Sequence, residues 1–530
     1  TKKGKRKYKP FALLSKGINE VKSFAILKTI EETILTSFRK PIVLVQKKQP
    51  FPLSEWISPN LFNVGVMLPY SGIHSLILDH IIDPAIVLTS ANPSDIPMYI
   101  DNNEILAQAK NLSDYILLHD RTIHQRADDS VLRITDGKPV LIRRSRGWTP
   151  EPIPLPFDLK KVISLGVGPL LTSTGAIALK DRCFPTQFIG DLNTLESLDF
   201  LENSITHLSN LLNVDHFEAI GYDLHPSFLA NTLAQKIAKK DNAELIGMQH
   251  HHAHAVALMI DNEINLDEEI IAIIADGVGY GEDGKIWGGE IFHSNYLNYE
   301  RIGHLEEQPM VGGDRATLYP IRMFAGILSK FMDVTDIAKL LSENYSDSLP
   351  SKNEIQVLLV QLKNNLNVTY TTSTGRILAS ISSLLKACFE RTYEGEPAIV
   401  LESLAYSGKA DKIKFKIPDS NENIINTTSL IEQAYEQYKT GSNPADIALE
   451  VHKELARQFA HIAIEYAKEF DIKKIGFTGG VAYNQFITEN ISKIVKKEKM
   501  IFLTHKSLPC GDGAISSGQA IKAALKKIEK

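Results

Sequence analysis

Short apolar runs alternate with amphipathic stretches along this 530-residue chain, a pattern typical of α/β proteins. In the first 148 residues the runs that predict strands are Pro41–Val45, Val64–Leu68, Ala85–Leu88 and Val140–Arg143. Near the other end, apolar residues at three- and four-residue spacing over Ala445–Phe470 predict a long helix. We expect residues 420–470 to be helical and to form either an insertion or helices that cover a lobe.

Three further apolar runs each end in glycines and predict a strand followed by a tight turn. They are Val162–Gly168, Ile270–Gly279 and Lys474–Gly480. Backbone N–H groups of such turns can approach phosphate. The similar segments Leu-Gly-Val-Gly at 165–168 and Asp-Gly-Val-Gly at 276–279 predict a duplicated unit. Two such lobes around a cleft are the plan of the actin/hexokinase-like ATPases.

A proline-rich stretch divides the chain. Prolines at alternate positions from 150 to 156 cannot sustain a helix or an inner strand. We therefore predict one domain over residues 1–148, a stiff linker over 149–157 and a second domain over 158–530.

Histidines in the second domain carry the clearest chemical signal. His250 and His254 are four residues apart, so a helix places both imidazoles on one face, where they can bind one divalent metal. His251 and His252 would point elsewhere and either pack or bind substrate. Asp276 follows a buried apolar run and offers a carboxylate close to the glycine turn.

In the first domain, hydroxyl, amide and guanidinium groups follow predicted strands. Ser90 and Asn92 can hydrogen-bond a nucleotide without crowding it, although an ordinary turn uses the same residues. Arg126 and Arg143 beside strands are costly unless they meet anions, and guanidinium groups suit phosphate or carboxylate. The chain also opens with six basic residues in its first nine. A solvated tail would explain them, but the strand predicted next would hold them against a site.

Composition narrows the class of protein. With 43% apolar and 23% charged residues, the chain is typical of a globular protein, and no apolar run approaches the roughly 20 residues of a membrane span. A net charge of −5 gives no general case for nucleic-acid binding. Three cysteines without a C-x-x-C pair exclude a disulfide framework and cysteine zinc fingers. We expect a cytoplasmic protein with neither membrane nor nucleic-acid partners.

Particular motifs resemble the HypF family of hydrogenase maturation carbamoyltransferases. In the first domain, the motifs similar to that family's YrdC-like domain are Lys9–Ala12, Val64–Tyr70, Thr89–Asn92, Asp128–Val131 and Arg143–Gly147. In the second domain, those similar to its TsaD-like module are Asp223–Pro226, Gln249–His254, Asp276–Gly289, Gly312–Asp314, Tyr393–Glu396, Gly479–Asn484 and Gly511–Gly513. The fold that the resemblance implies is a twisted YrdC-like α/β domain followed by a two-lobed actin/hexokinase-like (ASKHA) domain.

The resemblance implies a two-stage reaction. The YrdC-like half would join carbamate to ATP, with Mg, and release pyrophosphate and carbamoyl-adenylate. The TsaD-like half would transfer the carbamoyl group to the C-terminal cysteine of the partner HypE, on the way to the cyanide ligands of [NiFe]-hydrogenase. Because carbamate is short-lived in water, the two sites should share a closed cavity.

The same resemblance implies residue roles. A divalent metal, iron or zinc, would be held by the catalytic residues His250, His254 and Asp512, with Asp276 as a fourth ligand. Nucleotide or carbamate would be bound by Arg6, Lys9, Ser90, Asn92, Arg126, Ser130, Arg143, Gly277, Gly279, Gly312, Gly313, Asp314, Gly479, Gly480 and Asn484.

The chain departs from the family's pattern in several places. The acylphosphatase domain, the cysteine zinc fingers and the first YrdC-like strand are missing from the sequence, so we expect that it does not encode carbamoyl-phosphate hydrolysis and receives carbamate from elsewhere. Ala379 stands where an acidic residue is usual and puts a ribose contact in doubt. The usual lysine and asparagine are replaced within Pro169–Thr174, which weakens the case for phosphate contacts in that lobe.

Other functions stay open at this point. An enzyme of tRNA threonylcarbamoyl-adenosine synthesis uses the same two domain types, although the acidic net charge and the domain order argue against it. A small-molecule O-carbamoyltransferase is expected to have the opposite order. A non-catalytic nucleotide-binding regulator is disfavoured by the intact His250, His254 and Asp512, while Ala379 keeps it possible.

Overall fold

A computed structural model describes residues 8–92, 96–108, 113–418 and 423–530 of the chain. Within these ranges the strands belong to three β-sheets that follow one another along the sequence. We call the parts of the chain that form them the first, second and third units. None of the described helices is long and apolar enough to cross a membrane.

The first unit has, among its described residues, a mixed sheet in the order β5-β1-β4-β3-β6-β7, with β2 paired to β3. Its strands are β1 (Ala12–Ser15), β2 (Ala25–Ile26), β3 (Ile42–Lys47), β4 (Asn63–Met67), β5 (Ala85–Leu88), β6 (Val131–Thr135) and β7 (Lys138–Arg143). Its helices are α1 (Ile18–Phe24), α2 (Thr29–Thr36), α3 (Gly72–Asp79) and α4 (Asn102–Gln108). Strand β4 is buried along its whole length, as its apolar residues and central position require.

The second unit has a sheet in the order β13-β12-β9-β10-β11-β8, in which β9, β12 and β13 run parallel. The strands are β8 (Ile153–Pro154), β9 (Ser164–Gly166), β10 (Ala176–Leu179), β11 (Arg182–Pro185), β12 (Ala219–Asp223) and β13 (Glu244–Met248). The helices are α5 (Leu195–Leu212), α6 (Leu229–Asp241) and α7 (His250–Asp261). The short β8 lies within the proline-rich stretch and pairs at the sheet edge, where proline is tolerated.

The third unit has a sheet in the order β17-β18-β15-β14-β20-β21, with β16 between β15 and β19. Its strands are β14 (Ile270–Tyr280), β15 (Ile286–Ser294), β16 (Tyr299–Leu305), β17 (Gln308–Val311), β18 (Val368–Thr371), β19 (Ile424–Ile425), β20 (Lys474–Thr478) and β21 (Ile501–Leu503). Its helices are α8 (Asp314–Leu318), α9 (Ile321–Leu328), α10 (Val334–Asn344), α11 (Lys352–Asn364), α12 (Thr374–Leu384), α13 (Glu396–Ala405), α14 (Thr427–Lys439), α15 (Pro444–Glu469) and α16 (Gln485–Lys497). The last helix, α17 (Ile515–Ile528), packs against the sheet of the second unit, on β9 and β12.

Helix α7 lies between the second and third sheets. Every residue of this helix is buried, which is unusual for a helix that begins with three consecutive histidines. It packs against β14 on one side and against α17 on the other. Gly518 of α17 permits this approach, since a Cβ there would lie 2.2 Å from the Ala253 carbonyl oxygen. The histidines are therefore held in a rigid, dry environment.

Most predicted elements are present, with bounds shifted by one to three residues. Ala85–Leu88 coincides with β5, and the helix predicted over Ala445–Phe470 is α15. One prediction is wrong: the segment 276–281 is not a turn that ends the preceding strand. Strand β14 continues to Tyr280 through a bulge between Ala275 and Gly279, because β15 pairs with it on both sides of the irregularity.

Candidate metal centre and nucleotide-binding residues

The parallel strands of the second unit bring Asp223 to His250. Asp223 is the last residue of β12 and stands opposite Met248, the last residue of β13. The chain then passes through Gln249, whose side chain caps α7 by accepting a hydrogen bond from the backbone N–H of His252. His250 therefore begins the helix beside Asp223, and its Nδ1 lies 2.8 Å from the Asp223 carboxylate.

The third unit contributes Asp276 in a similar way. Strands β14 and β20 are parallel, with Ile274 opposite Thr478, so Asp276 and Gly480 leave the paired region side by side. Asp276 Oδ1 accepts hydrogen bonds from the backbone N–H groups of Gly277 at 2.7 Å and Gly480 at 3.2 Å. These bonds fix the carboxylate and leave Oδ2 directed at the histidines.

Four side chains converge at this point. The ligand atoms of His250, His254, Asp276 and Asp512 all lie within 4.8 Å of one another. The Nε2 atoms of the two histidines lie 3.4 and 3.3 Å from Asp276 Oδ2, and 3.7 and 3.5 Å from Asp512 Oδ1. The structure thus brings together all four predicted ligands, which come from α7, β14 and the short 3-10 helix Asp512–Ala514.

The electrostatics of the cluster favour positive charge. Burial acts to lower the pKa of His250, but its hydrogen bond with Asp223 and the nearby carboxylates of Asp276 and Asp512 outweigh burial and hold that pKa well above its usual value. The two nearby carboxylates of Asp276 and Asp512 likewise raise the pKa of His254. Burial acts to raise the pKa of Asp276, but the two adjacent imidazoles hold it well below its usual range. A cation bound between these groups would supply the positive charge that the carboxylates favour.

The donor set fits a divalent metal. Among the described residues, Nε2 of His250, Nε2 of His254 and Oδ2 of Asp276 are buried and have no hydrogen-bond partner. Buried polar atoms without partners are costly, so their convergence on one point indicates a missing ligand. Two imidazole nitrogens and two carboxylates suit zinc or iron. Asp223 would fix the His250 tautomer that presents Nε2 to the metal.

The predicted glycines of the third unit serve close packing at the cluster. A Cβ at Gly279 would lie 2.3 Å from the His251 ring, and one at Gly480 would lie 2.9 Å from Asp276 Oδ1. Gly479 has a φ of 94°, which favours glycine, and its N–H donates to the Cys510 carbonyl at 3.0 Å. Gly279, Gly479 and Gly480 therefore allow the close packing of the cluster, whereas a Cβ at Gly277 would meet nothing within 4 Å.

The remaining predicted residues of this unit occupy a turn and a helix end. Gly312 and Gly313 both have positive φ and lead into α8, whose first residue is Asp314. Asn484 caps α16 through a hydrogen bond from Ile487 N–H, and Ala379 is buried in α12.

Two predicted arginines of the first unit lie against the second unit. Arg126 stacks over Phe200 of α5, with its guanidinium 5.2 Å from the ring centre. Arg143 lies 4.4 Å over Phe188 and 3.5 Å from the Asp128 carboxylate. Burial raises the pKa of Asp128, while Arg143 acts in the opposite sense. These cations therefore face the boundary between the two units.

Other predicted residues of the first unit bind neighbouring protein groups. The Ser130 hydroxyl is fully buried, donates to the Arg146 carbonyl at 2.9 Å and accepts from Ser145 N–H at 2.8 Å. The Asn92 amide donates to the Ile96 carbonyl at 2.5 Å. Both contacts order the backbone at this site.

Three further predictions fall at the edge of this site. Ser90 is half-buried just after β5. Lys9 is exposed, and its charge lies close to Asp128. Arg6 lies outside the described residues. Asp223 and Asp128 lie within the sequence motifs named above, but the sequence predicts no role for either residue. Their position at or near strand ends, next to predicted site residues, was the available signal.

A buried contact joins the first unit to the third. Arg133 of β6 pairs with Glu402 at 3.0 Å and donates to the Tyr483 carbonyl at 3.1 Å. Phe62 stacks on Tyr406 with ring centres 3.5 Å apart. The units are therefore packed against one another close to the His/Asp cluster, since Tyr483 also binds Gly511 next to Asp512.

The architecture defines a class of protein: an α/β domain followed by a two-lobed, ASKHA-type domain with a His/Asp cluster at its strand ends. Residues 1–145 match the Sua5/YciO/YrdC family profile, described as "Telomere recombination". Residues 160–261 match "HypF Kae1-like domain", and residues 272–519 match "Carbamoyltransferase, Kae1-like Domain, second subdomain".

Whole-chain relatives are consistent with these profiles. The chain is 42% identical over 524 residues to the probable carbamoyltransferase HypF of Methanocaldococcus jannaschii, covering 98% of this chain and 67% of that protein. It is 31% identical to the carbamoyltransferase HypF of Synechocystis, with 97% and 66% covered. The crystal structure of T. kodakarensis HypF superposes with a TM-score of 0.93 at 40% identity, covering 99% of this chain and 68% of that one.

A second solved structure, full-length HypF in a phosphate- and nucleotide-bound form, gives a TM-score of 0.90 at 32% identity, with 98% and 67% covered. The chain belongs to the HypF family of carbamoyltransferases. It spans about two thirds of the length of the relatives it matches. The predicted family, fold class and enzyme class are confirmed, while the domain bounds 1–148, 149–157 and 158–530 stay a prediction.

Proposed function

We propose that this chain forms carbamoyl-adenylate from carbamate and ATP and transfers the carbamoyl group to the C-terminal cysteine of HypE. The observation that carries the proposal is the convergence of His250, His254, Asp276 and Asp512 beside the packed boundary with the first unit. The nucleotide reported in a related HypF structure supports the use of ATP.

In the first unit, Arg126 and Arg143 would hold the triphosphate, with Lys9 close by and Mg as the counter-ion. A carbamate oxygen would attack the α-phosphorus while the bond to the β-phosphate breaks and pyrophosphate leaves. Ser90 and Asn92 would orient carbamate or nucleotide at the end of β5. Ser130 would act by holding the backbone of the neighbouring strand, as its hydrogen bonds indicate.

In the second and third units, the acceptor thiolate would attack the carbamoyl carbon while the bond to AMP breaks. The glycines at 277, 279, 312, 313, 479 and 480, with Asp314 and Asn484, would surround the nucleotide. His250, His254, Asp276 and Asp512 would hold one divalent metal, zinc or iron. When bound, such an ion polarises a carbonyl or stabilises phosphate charge.

A contact through Tyr483 supports the proposal that an intermediate stays inside the protein. Tyr483 contacts the carbonyl of Ile142, the neighbour of Arg143, and also the backbone of Gly511, the neighbour of Asp512. One side chain therefore spans the distance between the two sets of predicted residues. A shared, closed cavity would protect a labile carbamate or adenylate from water.

The test is transfer of labelled carbamoyl groups. The chain is incubated with ATP, labelled bicarbonate with ammonium at high concentration, and HypE. Carbamate is supplied chemically, so that the assay measures adenylate formation and transfer without a step that generates carbamate. We expect label on HypE, and none on HypE that lacks its C-terminal cysteine.

Two variants separate the two halves of the reaction. Arg143→Ala should lower carbamate-dependent ATP–pyrophosphate exchange at least about tenfold, since it removes a charge-assisted contact with phosphate. Asp512→Asn should leave exchange intact and stop transfer to HypE. Label on unmodified tRNA in place of HypE, or full transfer from carbamoyl phosphate by this chain alone, would contradict the proposal.

A further inference from the structure

Tyr483 connects the metal cluster to the first unit. Its hydroxyl accepts a hydrogen bond from Gly511 N–H at 2.9 Å and donates to the Ile142 carbonyl of β7 at 3.4 Å. Its own carbonyl accepts from Arg133 of β6 at 3.1 Å. The first unit therefore binds this residue at both its side chain and its backbone.

The orientation of the Asp512 carboxylate depends on the backbone of its turn more than the orientation of the Asp276 carboxylate does. Asp276 is fixed by two backbone N–H groups that bind its Oδ1. Among the described residues, the carboxylate of Asp512 forms ion pairs with the two histidines and accepts no hydrogen bond from a backbone N–H. Its orientation must then come from the backbone of residues 510–514. The Cys510 carbonyl accepts hydrogen bonds from Gly479 N–H and the Thr478 hydroxyl, and the Gly513 carbonyl accepts one from the Thr174 hydroxyl. The N–H of Gly511, the residue directly before Asp512, is held by Tyr483.

The tyrosine ring also fixes this turn by contact. A Cβ at Gly511 would lie 3.1 Å from both the Cε2 and the hydroxyl of Tyr483, so the ring rests directly on the peptide. Burial, with the neighbouring acidic groups, raises the pKa of Tyr483 well above its usual value. The hydroxyl therefore keeps its proton and can donate to Ile142 while it accepts from Gly511.

We propose that Tyr483 is a positioning residue through which the packed first unit holds Asp512 in the geometry that binds a divalent metal. The inference rests on the metal site proposed above. In this proposal Tyr483 contacts neither the substrate nor the reacting atoms. It acts through the peptide of Gly511, which precedes the metal ligand Asp512.

The experiment measures metal affinity in the full chain. Zn²⁺ is titrated in competition with a chromophoric chelator, and Co²⁺ absorption reports the ligand geometry. Tyr483→Phe keeps the ring and removes the hydroxyl, so we expect about three- to tenfold weaker binding and an altered Co²⁺ spectrum. Tyr345→Phe is the matched control, because it removes another buried hydroxyl, one that donates to the Leu384 carbonyl at 2.8 Å. It should leave metal affinity unchanged.

A double-mutant cycle tests whether the effect passes through Asp512. In an Asp512→Asn background, Tyr483→Phe should weaken metal binding no further, because the positioned ligand is already lost. An equal effect in both backgrounds would overturn the inference, as would wild-type affinity in Tyr483→Phe. Wild-type protein that binds no metal would overturn the metal site itself and the inference with it, so the two failures are distinguishable. Melting temperatures establish that each variant is folded.

Discussion

The proposed metal site, the cluster of His250, His254, Asp276 and Asp512, and the predicted nucleotide site of the first unit differ in what their polar groups bind. At the cluster, several buried ligand atoms face one another without hydrogen-bond partners among the described residues. In the first unit, Ser130, Asn92 and Arg126 already bind backbone carbonyls. Buried ligand atoms without protein partners identify a site directly. Side chains that already bind protein groups must either give up those hydrogen bonds to bind a ligand or act by ordering the chain.

The largest expected effect is loss of metal. His250→Ala combined with His254→Ala should remove most of about one divalent metal per chain and abolish carbamoyl transfer, because both ligands on α7 are gone. Metal analysis of purified protein checks it, and carbamate-dependent pyrophosphate exchange should persist. Wild-type metal content in this variant would show that the metal binds elsewhere, and the contrast between the two regions would then be wrong.

The next largest effect is expected from a substitution at the boundary between the first and third units. Arg133→Ala leaves Glu402 buried without its partner and should lower the free energy of unfolding by about 3 kcal/mol. Replacing both residues with methionine should restore most of that stability, because it removes the unpaired charge. Chemical denaturation of the three proteins measures this difference. Equal stability of Arg133→Ala and wild type would show that the contact is not maintained in solution.

A smaller effect is expected at the partner of His250. Asp223→Asn keeps the shape of the side chain but weakens its hold on the imidazole, so metal affinity should fall by roughly 10- to 100-fold. The matched control is Asp128→Asn in the first unit, which should leave metal affinity unchanged. Chelator competition measures both variants, and similar losses in the two would contradict the separation of the regions.

The pH dependence should show a gradual change. The raised pKa of His250 means that its charge stabilises the metal-free fold fully below about pH 6.5, and that this contribution is lost as pH rises through the folded-state pKa. Metal requires the neutral imidazole, so apparent affinity should rise over the same range, by up to about tenfold per pH unit for each proton displaced. Melting temperatures measured with and without Zn²⁺ should therefore diverge as pH increases. A difference that stays constant with pH would contradict the predicted displacement of protons by the metal.

Local sequence determined much of this protein. Apolar runs specified most of the strands, the four-residue spacing of His250 and His254 specified a shared helix face, and motifs along the whole chain specified the family. These features depend on neighbouring residues, so periodicity and spacing suffice to predict them. The continuation of β14 past Asp276 was missed because a bulge depends on the partner strand, which the local glycines do not reveal.

Tertiary structure decided what lies around those features. Asp223 meets His250 only because β12 and β13 pair in parallel and in register, and Asp512 joins the cluster only because its turn is held against β20 and Tyr483. Packing between segments that are distant in sequence likewise produces two other contacts. They are the hydrogen bond from the Ser130 hydroxyl to the Arg146 carbonyl and the ion pair of Arg133 with Glu402. Sequence names the groups that can do chemistry, while burial and register decide which of them are left open to a ligand.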